Sequence, residues 1–244
     1  MPLTLAHPAA VLPLRRLGLP LSSLVAGSMV LDVPLYLGSR RGYEIAHGLP
    51  GILTVDVVGT LAVLWLWFTA LRDPMADLSP AAIRDRVPVR ARLARRQWLL
   101  APLGAVVGAL THVVWDSFTH VDQWGYEHVG WLRSDHLGIA GLRWSQYVSA
   151  VGGLLVVAVF AATHLRTLAV RPGRPPRLLP VATLPTVVIA AAAVGAVAAL
   201  GHATVGVHAM AFHGAVSSII VLVAGLVLVC AAWHVAAGRL SRRP

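Results

Sequence analysis

Long apolar runs, broken by short segments that carry the arginines, most constrain what this chain can become. Leu49 to Leu71 is the clearest: as a helix it reaches about 35 Å, enough to cross a hydrocarbon layer of roughly 30 Å with some tilt. Comparable runs follow at Trp98–Thr119, Gln146–Leu165, Leu178–Leu200 and Ala209–Trp233. A chain of 244 residues that is 57% hydrophobic and 12% charged, with a mean hydropathy of +0.73, is not an ordinary soluble domain. The fold class it implies is all-α, a polytopic membrane helical bundle. We expect about five full spanning helices plus an N-terminal helical hairpin, or six spans if residues 19–38 cross, with residues 1–244 as a single integral membrane domain.

The basic residues are all arginine, so the net charge of +10 is read by position. Residues 72–97 form a loop with arginines at 72, 84, 86, 90, 92, 95 and 96 against aspartates at 73, 77 and 85. The positive-inside rule puts this loop in the cytoplasm, together with the segment bearing Arg166, Arg171, Arg174 and Arg177 and the C-terminus with Arg239, Arg242 and Arg243. A short amphipathic surface helix in 72–97 would meet anionic lipids, so the expected partner is the lipid bilayer. No nucleic-acid motif accompanies the charge, and nothing in the sequence speaks to oligomeric state. Residues 120–145 then form a polar outer loop, long enough to fold over a site. The lone Cys230 lies in an apolar run, where it packs.

The N-terminal segment 1–38 is a poor spanning helix, because residues 19–38 contain Pro20, Ser22, Ser23, Ser28, Asp32 and Pro34. Arg15-Arg16 ahead of Leu17–Val25 has the look of a secretory leader but lacks a clean A-x-A cleavage site. A helical hairpin fits better: a helix from about Pro8 to Leu17, a turn at Gly18-Leu19-Pro20 and a return from about Leu21 to Leu31. It would bring His7 and Asp32 to one end.

The chemistry concentrates in Thr111-His112-Val113-Val114-Trp115-Asp116-Ser117-Phe118-Thr119-His120. His112, Asp116 and His120 recur every four residues and share one helical face, and Gly104 and Gly108 continue that stripe downward. The glycines invite close helix packing; imidazole and carboxylate together form a common ligand set for zinc, manganese or iron. The competing reading is a pair of histidines hydrogen-bonded to an aspartate. The topology puts His47, His112, His120, His128, His136, His202, His208 and His213 at or near the outer face, His7 with them if the hairpin forms, and only His164 and His234 inside. The candidate metal ligands are therefore His7, Asp32, His47, His112, Asp116 and His120, of which His47, His112, Asp116 and His120 carry most weight because helix ends hold ligands at fixed distances. Asp56, within the first long span, is either a relay or supporting group or a hydrogen-bonded neighbour.

Thr4-Leu5-Ala6-His7-Pro8-Ala9-Ala10-Val11-Leu12-Pro13, then Ala26-Gly27-Ser28-Met29 leading to Asp32, then His47 and the His112–His120 motif, resemble an uncharacterised bacterial membrane-protein family, domain of unknown function 4184, over roughly residues 1–160. That family in turn looks distantly like inner-membrane metal-dependent hydrolases with a scattered His, Asp, His pattern. This chain has Leu31-Asp32 where the family usually has Pro-Asp, and Gln146-Tyr147 where it usually has Gln-His. The resemblance implies a metal-dependent hydrolase of membrane-associated esters or phosphoesters at the extracytoplasmic face. The alternative is a non-catalytic membrane protein whose His/Asp cluster braces the bundle; transport along a polar path through Asp56 is weaker, since no broken-helix pair accompanies it.

Overall fold

The computed structural model describes residues 3–88, 90–171 and 176–240; Arg174, Arg242 and Arg243 lie outside them. A 3-10 turn at Thr4–Ala6 leads into α1 (Pro8–Val11), which tightens to 3-10 geometry over Leu12–Leu17. Gly18, with φ +74°, reverses the chain into α2 (Leu21–Val30). Three short pieces follow, α3 (Val33–Tyr36), α4 (Arg40–Ala46) and α5 (Leu49–Leu53), and then α6 (Val55–Leu66), a π turn at Trp67–Leu71, α7 (Arg72–Leu78) and α8 (Ala81–Arg84). The long α9 (Arg95–Asp116) precedes α10 (Trp124–His128), α11 (Gly130–Arg133) and a two-stranded hairpin of β1 (Asp135–His136) and β2 (Ile139–Ala140). In that hairpin Asp135 pairs with Ala140 and His136 with Ile139, across a turn whose Leu137 and Gly138 have φ of 59° and 79°. The chain ends in α12 (Gly141–Thr167), α13 (Thr183–Gly201) and α14 (Val207–Leu240).

Among the described residues, five helical stretches are long and apolar enough to cross a membrane: Leu49–Leu78, Arg95–Asp116, Gly141–Thr167, Thr183–Gly201 and Val207–Arg239. The protein is thus all-α and polytopic. With 10 residues, about 15 Å, α2 cannot span. The helices overrun the apolar runs that announce them, most visibly at residues 72–97, expected as loop: the first span continues through Arg72 to Leu78. Pro74 has no N–H for the Ala70 carbonyl four residues back, and that carbonyl accepts from His234 Nε2 at 2.8 Å instead. The π turn at Trp67–Leu71 absorbs the mismatch, so the proline does not end the helix.

The chain divides into two compact units. The first runs to Trp65 and takes in Arg92–Arg166; the second comprises Leu66–Ala91 and the chain from Thr167 onward. In the second unit, α13 packs along α14, and Asp77 gathers the Arg84 guanidinium at 2.8 and 3.0 Å, the Trp233 indole N–H at 2.9 Å and the Leu178 backbone N–H at 3.3 Å. Arg84 is buried in this way and Arg72 against the Asp73 carboxylate and the Pro88 carbonyl, whereas Arg90, Arg92, Arg95 and Arg96 remain exposed.

In the first unit the organising contact is α2 against α9, two helices running in the same direction. Gly104 faces Ser23, Gly108 faces the Leu24 carbonyl and the Ser28 N–H, and a Cβ on Gly27 would stand 2.5 Å from the Ala105 carbonyl oxygen. The backbones approach this closely only because no side chain intervenes. That approach carries the Ser28 carbonyl to the next turn of α9, where His112 lies.

Candidate metal centre

The described residues that could hold an ion together fall into two overlapping triads, His7 with Asp32 and His112, and His47 with His112 and Asp116. Five elements of the first unit converge to make them. His7 follows the first 3-10 turn, Asp32 sits in the break between α2 and α3, and His47 closes α4; His112 and Asp116 occupy the last two turns of α9. Gly51 lets α5 fold back on the end of α4, since a Cβ there would lie 3.0 Å from Ala46 Cα, and so fixes His47. His7, Asp32 and His112 are fully buried and Asp116 nearly so; the His47 side chain is 16% exposed, which makes it the rim.

Hydrogen bonds set the ring tautomers. His112 Nδ1 lies 2.8 Å from the Ser28 carbonyl and His47 Nδ1 lies 2.9 Å from the Tyr43 carbonyl. A carbonyl only accepts, so each Nδ1 carries a proton, and each ring, when neutral, turns its Nε2 lone pair inward. Those two Nε2 atoms are 3.3 Å apart. Burial holds the His47 pKa below the ordinary imidazole value, against the opposing pull of the Tyr43 carbonyl and the two aspartates, which keeps the ring neutral.

Each carboxylate divides its oxygens between the scaffold and this pair. Asp32 Oδ2 accepts from the Thr4 hydroxyl at 2.5 Å, which is itself 2.8 Å from the Tyr36 hydroxyl. Its Oδ1 is buried without a hydrogen-bond partner and stands 3.6 Å from His112 Nε2 and 3.9 Å from His47 Nε2. Asp116 Oδ1 takes His7 Nε2 at 3.2 Å and the Thr119 hydroxyl at 3.4 Å, while its Oδ2 stands 3.2 Å from His112 Nε2 and 3.8 Å from His47 Nε2. The His7 ring also stacks on His112 at 3.8 Å, nearly parallel.

Four donor atoms therefore face one another: the Nε2 atoms of His47 and His112, Asp32 Oδ1 and Asp116 Oδ2. Five of the six separations among them, all but that between the two carboxylate oxygens, run from 3.2 to 3.9 Å. Tetrahedral donors about 2.0–2.2 Å from an ion stand roughly 3.3–3.6 Å apart, so these five separations are of the size a first-row metal site needs. His7 Nε2 donates to Asp116 Oδ1, which leaves His7 Nδ1 buried and without a hydrogen-bond partner, the donor it would offer beside Asp32 and His112. His120 belongs to neither triad. Its Nδ1 reaches the Asp116 carbonyl at 3.3 Å and Asp116 Oδ1 at 3.5 Å, its Nε2 is buried and unpartnered, and burial lowers its pKa.

The family model described as Domain of unknown function (DUF4184) matches residues 1–233. The chain belongs to that family. The match extends well beyond the motifs of the first 160 residues and takes in α13 and most of α14. No curated protein and no solved structure matches the chain. The two positions that the resemblance marked as departures have their own surroundings here. Asp32 is held by Thr4 without a preceding proline. Gln146 is buried, its amide N–H donating to the Thr119 carbonyl at 2.7 Å and its oxygen accepting from Arg143 at 3.0 Å, but Tyr147 is 40% exposed on another face of α12, so a histidine at 147 would not share Gln146's buried position.

Several partners of the cluster went unforeseen. Tyr36 lies four residues after Asp32 and Tyr43 four before His47, spacings that mark helical neighbours; the Ser28 carbonyl, a backbone group delivered by the glycine contact, leaves no sequence signal.

Proposed function

We propose that this protein is a membrane-embedded metalloprotein whose His47, His112, Asp32 and Asp116 hold one divalent cation, and that it hydrolyses ester or phosphoester bonds of membrane-associated substrates. The single observation that carries the metal is the approach of two imidazole Nε2 atoms to 3.3 Å, each ring with its Nδ1 on a carbonyl on the far side. Two lone pairs at that distance need a cation or a shared proton between them. The partners of Asp32 and Asp116 among the described residues are hydroxyls and imidazoles, so the same cation would balance two buried carboxylates.

A divalent ion there would lower the pKa of a water in an open coordination position towards neutrality. His120, neutral and with Nε2 free of protein partners, is suited to take the proton, and His47 at the rim defines the approach. The donor set is nitrogen and oxygen only, which favours zinc, manganese or iron.

The count of donors favours a second reading. Four protein ligands close a tetrahedral zinc site, as in structural centres, but leave two positions on a six-coordinate manganese or iron. A zinc-loaded centre that never turns over would be a brace between the N-terminal hairpin and α9. The test is a screen of purified, metal-reconstituted protein against lipid-linked phosphoesters and esters, with chelator and His120→Ala controls. Turnover abolished by chelator and reduced in the variant supports hydrolysis; a fully metallated protein without turnover on either substrate class makes the centre structural.

A further inference from the structure

We infer that the substrate of this centre is a lipid, and that one of its hydrocarbon chains lies in a slot between α9, α1 and α12; the chemistry rests on the reading above, the slot does not. A cavity of about 540 Å³ opens along the end of α9 and the turn after it, from Val107 to Thr119, with Ala10 of α1 and Ser149 of α12 as its other walls. That volume falls in the range of small-molecule pockets, roughly 300–1,000 Å³. Its lining is overwhelmingly apolar, and the Thr111 hydroxyl, which could have made it polar, donates back to the Gly108 carbonyl at 2.7 Å.

Two side chains join the slot to the cluster. Thr119 lines the slot and hydrogen-bonds Asp116 Oδ1 at 3.4 Å. Trp115 lines it too, and its ring centre lies 5.9 Å from that of His7. The direction matches a lipid in place. His112 and Asp116 of the cluster occupy the last turns of a spanning helix, and the nine-residue rise from Val107 to the end of α9 at Asp116 is about 14 Å, close to the depth of one leaflet of a roughly 30 Å hydrocarbon layer. A lipid of that leaflet would set its polar linkage at the cluster with its chain running down α9. Leu110 and Val114, 42% and 61% exposed, form the lip through which a chain enters sideways from the bilayer.

The experiment uses the full chain in phosphatidylcholine vesicles containing a small fraction of phosphatidic acid with a diazirine midway along one acyl chain, followed by peptide mapping of the photocrosslinks and measurement of bound metal in each sample. We expect crosslinks concentrated on Leu110, Val114 and Ser149, and lost severalfold in Ser149→Trp but not in Val151→Trp, which is exposed on the same helix. Crosslinks spread evenly over the exposed residues of the spans, or undiminished in Ser149→Trp, would overturn the slot. The wild-type map stands alone if the filled variant fails to fold. Slot-specific crosslinking in a protein that binds no metal leaves the slot and removes the metalloprotein reading, and bound metal with even labelling does the reverse.

Discussion

An imidazole that gives its only proton to a carbonyl has chosen which nitrogen it offers to everything else, and His47 and His112 have made the same choice towards each other. The carboxylates repeat the device, one oxygen anchored and one presented. Outer partners of this kind typically change metal affinity about 10- to 100-fold, so Thr4→Val, which removes the hydroxyl from Asp32 and keeps the shape, should weaken metal binding by that order in a chelator competition. Unchanged affinity would take Asp32 off the ligand set. His7→Phe keeps a ring over His112 but leaves Asp116 Oδ1 without its imidazole donor; we expect weakened rather than abolished binding, and complete loss would make His7 itself a ligand.

At the scale of elements, the cluster depends on how near α2 comes to α9. Gly108→Val would drive a side chain into the backbone at Leu24 and Ser28. Overpacking of this kind costs roughly 1–3 kcal/mol, and here it should also pull the Ser28 carbonyl from His112, so metal affinity and thermal stability in detergent should fall together. Gly152→Ala on α12, which meets nothing within 4 Å, should change neither. The glycine stripe and the four-residue spacing of His112, Asp116 and His120 were legible in the sequence because helical periodicity fixes which residues share a face. What each member of that face does was not. His120, spaced identically, falls just past the end of α9 and outside the four facing donors, because the helix stops at Asp116. The continuation of the first span through Arg72 to Leu78 was illegible for a related reason: it depends on His234, far along the chain, supplying the bond that Pro74 cannot.

For the whole molecule, the arginine distribution leads us to expect residues 72–97 and the C-terminus in the cytoplasm and the cluster on the opposite face. In a Cys230→Ser background, a cysteine at Ser134 should react with a membrane-impermeant reagent on intact cells while one at Ala82 should not; the reverse pattern would invert the topology. A third cysteine at Leu5, 43% exposed beside the buried Thr4, should label from the same side as Ser134, since the N-terminal arms turn back at Gly18. The central claim is that the cluster holds a metal ion. Its most direct measurement is elemental analysis of detergent-purified protein beside His112→Ala and Asp116→Ala variants, with helix content checked by circular dichroism. The account predicts near-stoichiometric zinc, manganese or iron in the native protein and its loss from both folded variants. Substoichiometric metal in the native protein, unchanged by either substitution, would contradict it.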